Sequence, residues 1–144
     1  MTMTLAEWRG AIRPIADHIA AELLTAADCG PFDGGCLAFA LALQDVIGGD
    51  LVVLARANGI ADHAAVLQGD RFWDYAGPRA RLPFIRRFAS AEMRGNWRGV
   101  DIRPFREGDL RDAPADPELV ERLASLLKSA FPEYLPTHSL SLRA

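Results

Sequence analysis

The sequence predicts an α+β domain in which one buried helix packs on a small antiparallel sheet with flanking helices. Three observations carry that prediction. Apolar residues recur at three- and four-residue spacing over residues 4–27 and again near the end of the chain. The run CLAFALALQDVI (36–47) is apolar nearly all the way round. Between that run and the final helix lie short strand-like stretches, two of them joined by Gly69-Asp70.

In chain order, Leu5, Trp8, Ile12, Ile15, Ile19 and Leu23 form one apolar stripe on the first helix. Thr4 with Glu7 has the spacing of a capping box at its start, and Pro14 predicts a kink or a break within it. The stretch CGPFDGG (29–35) holds three glycines and a proline and reads as a loop. The helix from Cys36 to Ile47 is hydrophobic on every side, so it is central, and Gly48-Gly49 ends it.

Three strands follow at 51–57, 62–68 and 71–76. Gly69-Asp70 is a Gly-first pair that favours a tight hairpin between the last two. Residues 82–93 read as a short helix with Pro83 in its first turn. GVDIRPF (99–105) reads as a strand that Pro104 pushes to a sheet edge or end. A polar loop spans 107–115. Asp116-Pro117 then opens an amphipathic helix carrying Leu119, Leu123, Leu126, Leu127 and Phe131 on its apolar face. From 132 to 144 the composition predicts an irregular tail.

The chain has 144 residues, half of them hydrophobic and 24% charged, which suits one domain, 1–144, with its own core. A net charge of −3 argues against a dedicated nucleic-acid binder. The charge is unevenly spread: residues 1–70 hold nine acids and three Arg, whereas 71–111 hold ten Arg and five acids. The Arg-rich segment is either a solvated surface or a side that meets an anionic substrate or partner. The longest apolar run is too short to span a bilayer, and the N-terminus has no signal-peptide pattern, which predicts a cytoplasmic protein. Cys29 and Cys36 lack the spacing of a zinc or redox motif, so no metal or organic cofactor is expected, and a disulfide between them is not needed at this size.

Cys36 is the candidate nucleophile. A thiol at a helix N-terminus meets unpaired N–H groups and the positive end of the dipole, which favour the thiolate and can receive an oxyanion. Gly34 and Gly35 before it are expected to let a substrate backbone approach closely. Asp33 is expected to cap the helix. The hairpin supplies two further groups. With Gly69-Asp70 as the turn, Gln68 faces Arg71, Ala65 faces Asp74 and His63 faces Ala76. Asp74 is then the diagonal neighbour of His63 on the same face, at a backbone separation of roughly 7–8 Å. It can orient the imidazole toward Cys36. A register shift of one residue would place the two on opposite faces.

The stretch GGCLAFALAL (34–43), followed by strands and then DHAAVLQGDRFWDYAG (62–77), resembles the core of papain-like and transglutaminase-like proteins. The resemblance covers about residues 30–78, roughly a third of the chain, and its Cys, His, Asp order matches Cys36, His63 and Asp74. It implies a thiol-dependent hydrolase or acyltransferase acting on a peptide, a protein or a small amide through a thioester. The 27-residue step from Cys36 to His63 is short for the family. No Gln stands upstream of Cys36 where papain relatives carry an oxyanion residue, so either backbone amides do that work or the site is impaired.

Each residue also has a plainer reading. Cys36 can be a small buried hydrophobe, His63 a strand residue paired with Asp62, and Asp74 a strand-end residue in solvent. Cys29, in a DCGP sequence, is the rival nucleophile, but no helix starts directly after it. Trp73 and Tyr75 alternate with Asp74 and are expected on the opposite, core-facing side. His18 is expected in solvent, Trp97 in packing, and His138 in the tail without a role. The alternative functions are a non-catalytic binding protein using the cleft or the Arg-rich surface and, more remotely, a nucleic-acid module using the Arg band.

Overall fold

Pro14 divides the first helical stretch, because it offers no N–H to the helical ladder. The computed structural model describes residues 3–32, 34–92 and 99–132. Asp33, Trp97, His138 and the expected tail beyond Pro132 lie outside those residues. In chain order the elements are α1 (Leu5–Ile12), a 3-10 turn (Arg13–Ile15), α2 (Ala16–Ala27), α3 (Cys36–Ile47), β1 (Asp50–Ala55), β2 (Ala61–Gln68), β3 (Arg71–Asp74), β4 (Gly77–Arg79), α4 (Arg81–Glu92), β5 (Asp101–Pro104) and α5 (Pro117–Ala130). The capping box forms as its spacing predicts: the Glu7 N–H donates to Thr4 Oγ1 at 3.1 Å, and the Thr4 N–H donates to Glu7 Oε1 at 3.1 Å. Asp116 is the cap residue of α5, with Pro117 in the first turn, but its side chain makes no capping bond.

The five strands form one antiparallel sheet in the order β4-β3-β2-β1-β5. Both prolines in the sheet, Pro78 and Pro104, sit on its two edge strands, where a missing N–H costs no ladder bond. The third predicted strand is shorter than 71–76. It stops at Asp74, and a separate strand, β4, follows after Tyr75 and Ala76. The reason is local: Asp74 Oδ1 accepts the Ala76 N–H at 2.8 Å, an Asx-type turn, and Gly77 adopts φ +101°.

The sheet separates two apolar layers. On one face α3 lies central, with Leu37, Phe39, Leu43, Val46 and Ile47 buried against Ala64, Val66 and Trp73 of the sheet and against α1, α2 and α5. On the other face Val52, Leu54, Ala65 and Phe72 meet Phe84, Ile85 and Phe88 of α4. Trp8 ties the first layer together. Its ring stacks on Phe131 at 5.1 Å and meets Trp73 edge-on at 6.0 Å, while its indole N–H donates to the Tyr75 carbonyl at 2.9 Å. Gly77 is required beneath it, since a Cβ there would lie 2.8 Å from the indole. No helix among the described residues is long and apolar enough to cross a membrane.

Candidate active site

The helix carrying Cys36 and the strands carrying His63 and Asp74 approach from different layers, so the sheet must open for them to meet. The β2–β3 ladder pairs Gln68 with Arg71, Leu67 with Phe72 and Val66 with Trp73, and is not paired further. One step beyond it in the same register, Ala65 faces Asp74. Where β3 departs, the Ala64 N–H turns to Cys36 instead and hydrogen-bonds its sulfur. A bulge on the other side of β2 lies beside the site, where Leu54 pairs with His63 and Ala55 with Ala61.

His63 Nε2 lies 2.9 Å from Asp74 Oδ2, with both residues buried at 4% exposure. The ring N–H donates to the carboxylate, and the second carboxylate oxygen is held by the Ala76 N–H at 2.8 Å. Asp74 is thus oriented by its own turn before it orients the imidazole. With Nε2 engaged, Nδ1 is the nitrogen left for Cys36, whose thiol shares a hydrogen bond with the ring. Phe88 stacks on the imidazole at 5.3 Å, and Phe32 lies at 6.3 Å on a tilt.

These contacts govern the charges. Burial alone would raise the Cys36 pKa. The hydrogen bond and charge of His63, with the N–H groups of Ala64 and Leu37, outweigh burial and hold the thiol below its ordinary 9.0. Burial would likewise lower the His63 pKa, but the bond to Asp74, then the bond to Cys36 and both negative charges, push it up to about 9. The favoured state between those limits is a thiolate–imidazolium pair with a carboxylate behind it.

The two glycines before Cys36 have a packing role within the loop. The Gly35 N–H donates to the Gly30 carbonyl at 2.9 Å, and a Cβ on Gly35 would lie 2.5 Å from that oxygen and 3.0 Å from Leu23. Gly34, at φ +96°, has its missing Cβ turned toward Cys29, 3.2 Å away. Both glycines therefore let the loop close on itself, and the position a Cβ would take at each is filled by protein. The Gly35 N–H is consumed, whereas the N–H groups in the first turn of α3 lack acceptors within the helix and face an incoming anion or oxyanion as donors. Asp33, expected as the helix cap, is outside the described residues, and the observed cap residue is Gly35 with no side-chain capping bond.

The remaining candidates fall apart from this cluster. Cys29 is half-buried, its sulfur 3.9 Å from the Leu23 carbonyl, and neither cysteine is in a disulfide. His18 is exposed on α2. Asp62 pairs with Arg56 and not with His63. Trp73 faces the α3 layer as its alternation predicts. Tyr75, expected beside it in the strand, lies in the turn, half-buried against Phe32 and Phe39. No group of three His, Cys, Asp or Glu side chains among the described residues is arranged to hold a metal.

Sequence reasoning missed Phe32, Phe88, Arg79 and Arg87. An apolar residue inside the Gly-rich loop was a signal for Phe32, and the Phe84/Phe88 spacing on α4 was one for the wall over His63. The arginines carried no local signal. Phe32, Tyr75, Arg79 and Arg87, with Arg9 and Arg13 of the first helical region, line a cavity of about 420 Å³ beside the Asp74 turn. Elsewhere in the Arg-rich segment, Arg81 and Arg103 are paired with Asp101 and Asp109.

Comparison of the chain with family models, with curated proteins and with solved structures gives no match.

Proposed function

We propose that this chain is a papain-like or transglutaminase-like thiol hydrolase or acyltransferase acting on an amide or related acyl bond. One observation carries the reading: a cysteine at the N-terminus of a buried helix shares a hydrogen bond with His63, whose other nitrogen is held by Asp74 at 2.9 Å. The thiolate of Cys36 attacks the acyl carbon, and the carbonyl π electrons move to oxygen. When they return, the bond to the leaving group breaks. The imidazolium of His63 gives that group its proton, and a thioester remains on Cys36. His63, now neutral, takes a proton from water or from an acceptor amine. The resulting nucleophile attacks the thioester, and the thiolate is expelled. Asp74 holds the ring orientation through both halves. Substrates of this chemistry are peptides, proteins or small amides, and the three side chains with backbone N–H groups complete it.

The burial of the site favours a second reading. Cys36 is 9% and His63 4% exposed, as suits a binding protein in which the three residues serve packing and hydrogen bonding. Incubation with 4-nitrophenyl acetate and mass spectrometry of the intact chain separates the two. An acetyl group on Cys36 that turns over in water, and is absent from His63→Ala, supports the enzyme. A chain that stays unmodified while folded supports the binding protein and sinks the catalytic reading.

A further inference from the structure

We propose that the arginine-lined cavity beside Asp74 is a subsite for an anionic group, a carboxylate or a phosphate, carried by the acyl donor. This deepens the thiol-acyl-transfer reading and rests on it. Arg9 and Arg13 come from the first helical region, Arg79 from the end of β4 and Arg87 from α4, so three separate parts of the fold converge there. Arg56, Arg71, Arg81, Arg103 and Arg122 each face a carboxylate. Among the described residues the four guanidinium groups of the cavity do not. Among the described residues no carboxylate forms an ion pair with this cluster, and the charge that reaches it is that of Asp74 on Arg79.

The cations also sense one another. Burial first, and then the charges of Arg87 and Arg9, hold the Arg79 guanidinium below its ordinary value, against the opposing pull of Asp74. A bound anion would relieve that repulsion. Arg79 spends one N–H on the Ala76 carbonyl at 2.8 Å, which fixes its fork and leaves its other donors for a ligand. The wall is aromatic: Phe32 is 37% exposed, with the Arg87 guanidinium 4.5 Å above its ring, and Tyr75 meets Phe32 edge-on at 5.6 Å. A ligand with an apolar body and an anionic end matches both surfaces. Among the described residues, the acidic groups whose charge reaches the cavity lining are Asp74, already committed to His63, and Asp17, which acts on Tyr75. Phe32 joins cavity to chemistry, since its ring is also the one 6.3 Å from the imidazole.

The test uses the full chain and two sets of probes. Calorimetry in low salt on Cys36→Ala compares phenyl phosphate and phenylacetate with neutral phenylacetamide, so that no covalent chemistry intervenes. Both anions bind, the amide binds at least about tenfold more weakly, and Arg9→Gln combined with Arg87→Gln weakens the anions by roughly fivefold to tenfold. The tighter of the two anions identifies the group as phosphate or carboxylate. Acylation of the wild-type thiol by the anionic 4-nitrophenyl succinate is then compared with acylation by neutral 4-nitrophenyl butanoate. The succinate is preferred in kcat/KM, and the preference collapses in the double variant. Equal binding of anions and amide, or a double variant that binds the anions as wild type does, overturns the subsite. Equal acylation by both esters overturns it while leaving the thiol chemistry in place. Anion binding with no acylation by either ester overturns the donor assignment through the reading on which it rests.

Discussion

His63 and Asp74 are diagonal neighbours across the β2–β3 hairpin, and a 2.9 Å hydrogen bond closes that diagonal inside the protein. Neither residue is solvated, so each depends on the other for its buried polar atoms. Asp74 has a second anchor in the Ala76 N–H, and His63 has a second partner in Cys36. Disturbing one member therefore changes the ionisation of the next.

Replacing Asp74 by Asn keeps an acceptor for the Ala76 N–H but removes the negative charge that holds His63 near 9. The His63 pKa then falls, which NMR titration of the ring protons measures directly. Alkylation of Cys36 at pH 6 slows by roughly tenfold, because less imidazolium is present to hold the thiolate. Asp74→Ala goes further, leaving a buried ring N–H unpaired at a cost of about 3 kcal/mol. An Asn variant that titrates and reacts as wild type does would mean that Asp74 is only a turn residue.

The rate of Cys36 alkylation by iodoacetamide should plateau below the ordinary thiol range and step upward near pH 9. The plateau starts at the depressed Cys36 pKa, and the step marks loss of the His63 proton at about 9, which frees a more basic thiolate. In His63→Ala the plateau is absent, and the rate at pH 6 is lower by roughly tenfold or more. Peptide mapping keeps Cys29 apart from Cys36. A single sigmoid at the ordinary thiol pKa in the native chain contradicts the ion pair.

Folding stability should carry two opposed slopes with pH below about 9, one from His63 and one from Cys36. His63 is raised from 6.5 to about 9, so in that window the native state holds a proton that the unfolded chain has lost, and its contribution falls as pH rises. Cys36 is lowered from 9.0, so the unfolded chain holds a proton that the native thiolate lacks, and this contribution grows as pH rises. Removing one member exposes the other. Cys36→Ala should lose stability from pH 6.5 upward at as much as about 1.4 kcal/mol per pH unit. Its window closes below 9, since the raising effect of Cys36 is gone and that of Asp74 remains. Urea midpoints across the range give both curves, and a flat Cys36→Ala profile rules out a raised His63.

Gly35→Ala should destabilise the chain by about 1–3 kcal/mol through overpacking. The new Cβ would meet the Gly30 carbonyl at 2.5 Å, and backbone cannot yield as a side-chain tip would. The loop that seats Cys36 has to shift, so the thiol loses reactivity as well. Gly30→Ala meets nothing within 4 Å and serves as the control with little change. Denaturation of both variants alongside alkylation rates tests the pair, and equal stability of the two would refute the packing argument.

Trp8→Ala should cost about 3–5 kcal/mol as a large core truncation. It also frees the Tyr75 carbonyl, which the indole N–H meets at 2.9 Å in the turn that positions Asp74. The variant is therefore expected to lower Cys36 reactivity from a distance. A folded Trp8→Ala chain with wild-type alkylation kinetics shows that the turn holds Asp74 unaided.

The α+β character, the Cys36–Ile47 helix and the hairpin register were all legible in the chain by itself. Periodicity set the first two. The Gly69-Asp70 turn set the third, because a side-chain period of two leaves His63 and Asp74 one permitted relation in that register. Local chemistry is enough for such features, since each depends on residues close in sequence. What the sequence could not decide was how groups on opposite sides of a sheet meet. That needed β3 to end at Asp74, its ladder to β2 to stop at Trp73, and the Ala64 N–H to turn to sulfur. The purpose of Gly35 was hidden for the same reason, because the Gly30 carbonyl and Leu23 that fill its space come near only when the loop closes. The convergence of Arg9, Arg13, Arg79 and Arg87 was invisible too: nothing in residues 9 and 87 predicts that they share a cavity. Distances between segments far apart in the chain follow from packing of the whole core, and only the tertiary structure sets them.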